Sequence, residues 1–156
     1  MSDSSKLTDS LVAAFPGKVS RLELEPVQDA VLVEADAIRD FFKHLKEDEN
    51  LKFDYLSSLS GVDAIENLEV VYHINSTVTK LKLTVKVKLP TENPEIDTIC
   101  DIYRAADWFE RELYELYGIF VKDHPDLRPL LLPEDWDEGP PMRKGWTGKD
   151  FIVRPE

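Results

Sequence analysis

The residues of this chain that could do chemistry are few: three histidines, one cysteine and a knot of glutamates late in the sequence. His44 and His73 have no second ligand at metal spacing. His124 stands between Asp123 and Asp126, donor types that suit a metal, but Pro125 and these aspartates are also ordinary turn formers. Cys100 is the only cysteine, so no disulfide closes within the chain and no cluster of thiolates is available. It reads as a small buried hydrophobe. Glu110 and Glu112 could be drawn as an acid–base pair, yet no cleft motif, nucleophile or cofactor loop accompanies them. The six glycines are scattered, without a GxGxxG or GKS/T pattern, and GxSxG and CxxC are absent. No catalytic, cofactor-binding or metal residue is therefore expected in this chain.

What positions these residues can be read from periodicity. Thr8 or Asp9 can cap a short helix with Leu7, Leu11, Val12 and Phe15 on one face, stopped by Pro16-Gly17. Arg21 to Glu25 alternates like a half-buried strand, with Ala30 to Val33 as its hairpin partner. Asp36 is a plausible N-cap for a helix whose Ile38, Phe41, Phe42 and Leu45 form one stripe. Phe53 to Leu59 reads as a strand closed by Ser60-Gly61. Leu68, Val70, Tyr72 and Ile74, then Leu81, Leu83, Val85, Val87 and Leu89, make two period-2 runs around a polar turn, an antiparallel hairpin. The second run carries Lys80, Lys82, Lys86 and Lys88 on its other face: a solvated, edge-guarding face, or a docking patch for an acidic neighbour. After a loop at Pro90 to Pro94, residues Ala105 to Tyr117 read as a helix with the stripe Phe109, Leu113, Leu116 and Phe120, and Gly118 sits where a C′ glycine belongs. Arg111 and Glu115, at i and i+4, can pair along it.

From Asp123 the composition changes. Six of the ten prolines lie between Pro125 and Pro155, with Trp136 and Trp146 spaced along a polar chain. Such a segment reads as a stiff extended arm whose aromatics anchor in a partner's pockets, the competing reading being a tail wrapped over its own domain. The organisation expected is an α/β domain over 1–122 and an arm over 123–156. The fold class expected is α+β: two layers, a mostly antiparallel sheet with packed helices.

A net charge of −12 opposes binding to nucleic acid or to anionic lipid. No apolar run approaches the ~20 residues that span a bilayer, and Met1 to Leu7 is polar, unlike a secretory leader. Membrane association is thus expected only through partners.

The string Glu110-Arg111-Glu112-Leu113-Tyr114-Glu115-Leu116-Tyr117-Gly118-Ile119-Phe120, then His124-Pro125-Asp126-Leu127-Arg128, then Leu131-Leu132-Pro133-Glu134-Asp135-Trp136, resembles a family signature. It looks like the C subunit of bacterial NADH-quinone oxidoreductase (respiratory complex I), the same family as the J subunit of the cyanobacterial and plastid complex. Gly139-Pro140-Pro141-Met142-Arg143-Lys144 continues the likeness, which covers roughly residues 53 to 146. Three departures stand out: Glu115 where the family usually has Asp, Pro129 in place of a second basic residue, and Lys144-Gly145-Trp146 at the end.

The resemblance implies a subunit without a redox centre in the peripheral arm of a respiratory complex. It would pack on the hydrogenase-like quinone-site subunit beside iron–sulfur subunits, on the cytoplasmic side of the cell membrane. Iron–sulfur clusters and quinone would belong to those partners, and electron transfer to quinone would be coupled to ion translocation. A ferredoxin-dependent complex or a membrane-bound energy-converting hydrogenase would use the same module. The residues expected at the partner interface are Glu110, Arg111, Glu112, Tyr114, Tyr117, His124, Asp126, Arg128, Leu131, Trp136, Arg143 and Trp146.

Overall fold

The structure is a computed structural model that describes residues 3–24, 28–150 and 152. Helix α1 (Asp3–Ala14) leads into strand β1 (Val19–Arg21). Strand β2 (Ala30–Val33) follows, and a 3-10 turn (Ala35–Ala37) runs into helix α2 (Ile38–Glu47). Three longer strands come next: β3 (Tyr55–Asp63), β4 (Leu68–Asn75) and β5 (Lys82–Leu89). Strand β6 (Glu95–Asp97), helix α3 (Ala106–Tyr117) and strand β7 (Phe120–Lys122) complete the domain.

Five strands form one sheet in the order β1-β2-β5-β4-β3. All neighbours are antiparallel except β2 and β5, which run parallel. The α2 stripe expected from its spacing is the core: Ile38, Phe41, Phe42 and Leu45 are fully buried. Phe42 meets Tyr72 of β4 at 4.9 Å between ring centroids and Tyr103 at 5.8 Å. Burying each such side chain stabilises the fold by roughly 1.5–3 kcal/mol. The Tyr103 hydroxyl donates to the Phe53 carbonyl at 2.8 Å, so the connection before α3 is tied to the same core.

Helix α3 lies over β3 on that inner face. Gly61, paired with Val70, leaves room for the Tyr117 ring: a Cβ there would fall 2.5 Å from a ring carbon. The opposite sheet face is polar, with Lys86 reaching Glu69 at 3.0 Å and His73 Nδ1 beside the Thr84 hydroxyl at 3.1 Å.

Several expectations need correcting. Thr8 is buried within α1 rather than capping it, because the helix begins at Asp3. The first strand is Val19–Arg21, with Leu22 adding one more bond to Ala30, and Glu25 lies outside the described residues. Asp36 sits in the 3-10 turn and pairs with Lys18; it makes no cap bond for α2. β3 runs through Ser60-Gly61 because Gly61 is needed under Tyr117, not as a stop. β5 is an interior strand, so its lysines guard no edge. The parallel pair β6-β7 was not expected.

Candidate functional site

The charged motif and the arm meet along α3. Of the expected stripe, Leu113 is buried and Phe109 packs against the core, but Leu116 is half-buried and Phe120 is exposed in β7, and the buried positions of α3 include the charged Glu110, Arg111 and Glu115. Arg111 and Glu115 do not spend their charges on each other. Arg111 donates from Nε to the Arg128 carbonyl and from Nη2 to the Pro129 carbonyl, both at 3.0 Å. The Glu115 carboxylate accepts the N–H groups of Leu130 (2.9 Å), Leu131 (2.8 Å) and Leu132 (3.0 Å). A guanidinium takes carbonyls and a carboxylate takes N–H groups, so one helix turn grips five successive backbone units of the arm. Hydrogen bonds to charged groups are the strong ones.

Further along, Arg143 donates from Nε to the Tyr117 carbonyl at 2.7 Å and from Nη1 to the Thr91 carbonyl at 3.1 Å. Met142 N–H donates to the Leu116 carbonyl and Lys144 N–H to Asp63. Two backbone N–H donors, from Lys144 and Ile65, hold the Asp63 carboxyl below its usual range. Gly118, at φ +68, ends α3, and Pro140 packs against it. Trp136 and Trp146 stack 6.1 Å apart, each donating its indole N–H to a carbonyl of the arm, at Gly139 and Glu138. The arm thus folds over its own domain, the competing reading of the sequence.

The start of the arm lies beside a buried carboxyl. The Glu110 carboxylate accepts the Ile99 N–H at 2.8 Å and the Thr98 hydroxyl. Burial pushes its pKa up to about 7, against the two donors that lower it. His124 Nε2 lies 3.1 Å from the Asp107 carbonyl and 3.8 Å from Glu110 Oε2, and Nδ1 accepts the Asp126 N–H at 3.1 Å. The β6-α3-β7 arrangement places residues 98–100 against 124.

Of the residues expected at an interface, Glu110 and Arg111 turn inward, and Arg143 and Tyr117 bind the arm to the domain. Glu112, Tyr114, His124, Trp136 and Trp146 are half-buried, and Asp126, Arg128 and Leu131 are exposed, with Arg128 paired to Asp126 at 2.9 Å. A cleft of about 390 Å³ opens between α3 and the arm, walled by Tyr114, Gly118, Pro129, Leu132, Trp136 and Pro140 among others. No residue from 123 to 150 is buried in backbone and side chain alike, and apart from the enclosed His124 side chain this strip lies at the surface. Sequence reasoning missed Glu115 and Asp63 as anchors of the arm, and Thr98 and Asp107 altogether.

The family model described as the 30 Kd subunit of respiratory-chain NADH dehydrogenase matches residues 31–151. The C subunit of F(420)H(2) dehydrogenase from Methanosarcina mazei is 41% identical over 149 residues, covering 94% of this chain and 93% of that protein. The C subunit of NADH-quinone oxidoreductase from Chloroherpeton thalassium is 44% identical over 135 residues, covering 85% of this chain but 56% of the longer relative. Among solved structures, a chain of the membrane-bound sulfane sulfur reductase, described as an archaeal respiratory membrane complex, shares the fold with a TM-score of 0.79 at 24% identity, over 94% of this chain and 86% of that one. A trypsin-resistant fragment of Nqo5 aligns with a TM-score of 0.63 at 25% identity, over 79% of this chain and 98% of the fragment.

Proposed function

This chain belongs to the family of the 30 Kd subunit of respiratory-chain NADH dehydrogenase, and from that premise we propose that it is a non-catalytic assembly subunit of a membrane-associated, complex I-type oxidoreductase. It packs on the hydrogenase-like quinone-site subunit, next to iron–sulfur subunits that hold the clusters, and it supports electron transfer to quinone coupled to ion translocation. Its place is peripheral, on the cytoplasmic side of the cell membrane. No helix among the described residues is long and apolar enough to cross a membrane, which fits attachment through partners.

The observation that carries this reading is the pinned arm. Backbone that would otherwise be costly to order on docking is already fixed by Arg111, Glu115 and Arg143, so a partner meets a preformed strip. That strip presents Leu131, 63% exposed, and Met142, 52% exposed, with the charged Asp126–Arg128 pair beside them. Apolar anchors with arginine at the rim match the composition of protein interfaces. The cleft beside Trp136 is of a size to admit one large partner side chain.

Leu131→Asp and Arg128→Ala test this directly. Both side chains are exposed, so each variant chain should fold as the parent does. Each should lower recovery of the hydrogenase-like subunit with the tagged chain, Leu131→Asp by about tenfold or more. Unchanged recovery in both would overturn the interface.

A second reading concerns the electron donor. The chain is 41% identical to the F(420)H(2) dehydrogenase subunit over 94% of its length, a likeness comparable to the one it shows to NADH-linked subunits. That likeness makes a complex fed by a donor other than NADH the second reading. Absence of an NADH-binding flavoprotein among co-purifying proteins supports that reading, and its presence refutes it.

A further inference from the structure

The β6-α3-β7 crossover gathers one sulfur, one oxygen and one nitrogen donor that are far apart in sequence: Cys100 Sγ, a Glu110 carboxylate oxygen and a His124 ring nitrogen all lie within 4.8 Å of one another. We propose that these three side chains form a binding site for one divalent transition-metal ion of the zinc type. The inference does not depend on the assembly role.

Distances favour it. Donors around a tetrahedral zinc sit about 3.3–3.6 Å apart for oxygen, nitrogen and one sulfur, given metal–nitrogen and metal–sulfur lengths near 2.0 and 2.3 Å. Glu110 Oε2 and His124 Nε2, 3.8 Å apart, need to approach by only about half an ångström. Asp107 Oδ1 lies 3.5 Å from the same nitrogen, outside the group of three, on a side chain 40% exposed that would have to turn inward to serve as a fourth ligand.

The carboxylate is held as a ligand should be. Ile99 N–H fixes one oxygen and the Thr98 hydroxyl the other, and each oxygen keeps a further lone pair. Cys100 N–H in turn donates to the Thr98 oxygen at 3.1 Å, which orders the loop carrying the sulfur. A thiolate, an imidazole and a carboxylate together select zinc, cobalt or ferrous ion over magnesium or calcium.

Binding releases protons. The Cys100 thiol proton and any proton held by Glu110 leave to solvent. The imidazole proton moves from Nε2, where it now faces the Asp107 carbonyl, to Nδ1. That step gives up the Asp126 N–H bond to Nδ1, and the exposed Asp126 carboxylate would turn from Arg128 to accept the new N–H. The ion would join the loop before α3, α3 itself and the first turn of the arm.

The test uses the full chain without a histidine tag, stripped with chelator and titrated with cobalt(II). We expect a thiolate-to-cobalt charge-transfer band that saturates at one equivalent. Cys100→Ala and His124→Ala should each weaken binding more than about 100-fold, with circular dichroism confirming that both variants fold. His44→Ala and His73→Ala should leave it unchanged. Zinc X-ray absorption should show one sulfur at about 2.3 Å. Absence of the band, or its survival in a folded Cys100→Ala chain, would show that the cluster is only hydrogen-bonded and would overturn the site, while leaving the assembly reading untouched.

Discussion

Glu115 holds three consecutive N–H groups of the arm with a single carboxylate, and Arg111 holds the two carbonyls just before them. The conformation of residues 128–132 is therefore set by α3. Replacing Glu115 by Ala removes a charged acceptor worth about 2 kcal/mol to the local structure. Hydrogen exchange at the amides of Leu130, Leu131 and Leu132 should then speed up roughly 30-fold, while the amides of β4 stay protected. Asp63 makes a second attachment, to the Lys144 N–H. Its pKa in the folded chain lies below the ordinary 3.8, so the bond to the Lys144 N–H is fully present above that value and is lost as pH falls through the lowered one. An NMR titration should show the Lys144 amide shifting with a midpoint below 3.8, and the shift should vanish in Asp63→Asn.

At the scale of elements, the arm encloses only the His124 side chain and packs Leu127 on the core, whereas the sheet and α2 contribute most of that core. A chain ended after residue 122 should therefore still fold, with a loss of a few degrees in Tm by calorimetry, since few large apolar contacts leave with the arm. This division is also where reading the sequence succeeded and failed. The β4–β5 hairpin and α2 were legible because their apolar residues repeat at 2 and at 3.6, and burial follows those periods. The α3 face was not, because Glu110, Arg111 and Glu115 are buried by tertiary hydrogen bonds that periodicity does not encode. The β6-β7 pair was invisible for a related reason: two strands of three residues, 25 positions apart in register, leave no local pattern. Arg111 and Glu115 were singled out by their spacing, but spacing alone cannot tell a pair that bonds along the helix from one that reaches outward together. The cluster of Cys100, Glu110 and His124 was missed likewise, since the sequence reading sought a metal's partners beside His124 and the fold brings them from elsewhere.

For the whole molecule, the proposed role makes the fold the solution to a docking problem. An acidic chain of net charge −12, with a two-layer domain polar on its outer sheet face, carries along α3 a strip of fixed backbone bearing Leu131, Arg128, Trp136 and Met142. Fixing that strip within the chain lowers the ordering cost of association, and the exposed apolar residues gain when a partner covers them. The most direct measurement of this docking role is affinity purification of the tagged chain from native membranes in mild detergent, with mass spectrometry of its companions. A hydrogenase-like subunit should be recovered together with iron–sulfur and membrane subunits. Recovery of the chain alone, soluble and in quantity, would contradict the docking role and would mean that the arm serves only the domain it covers.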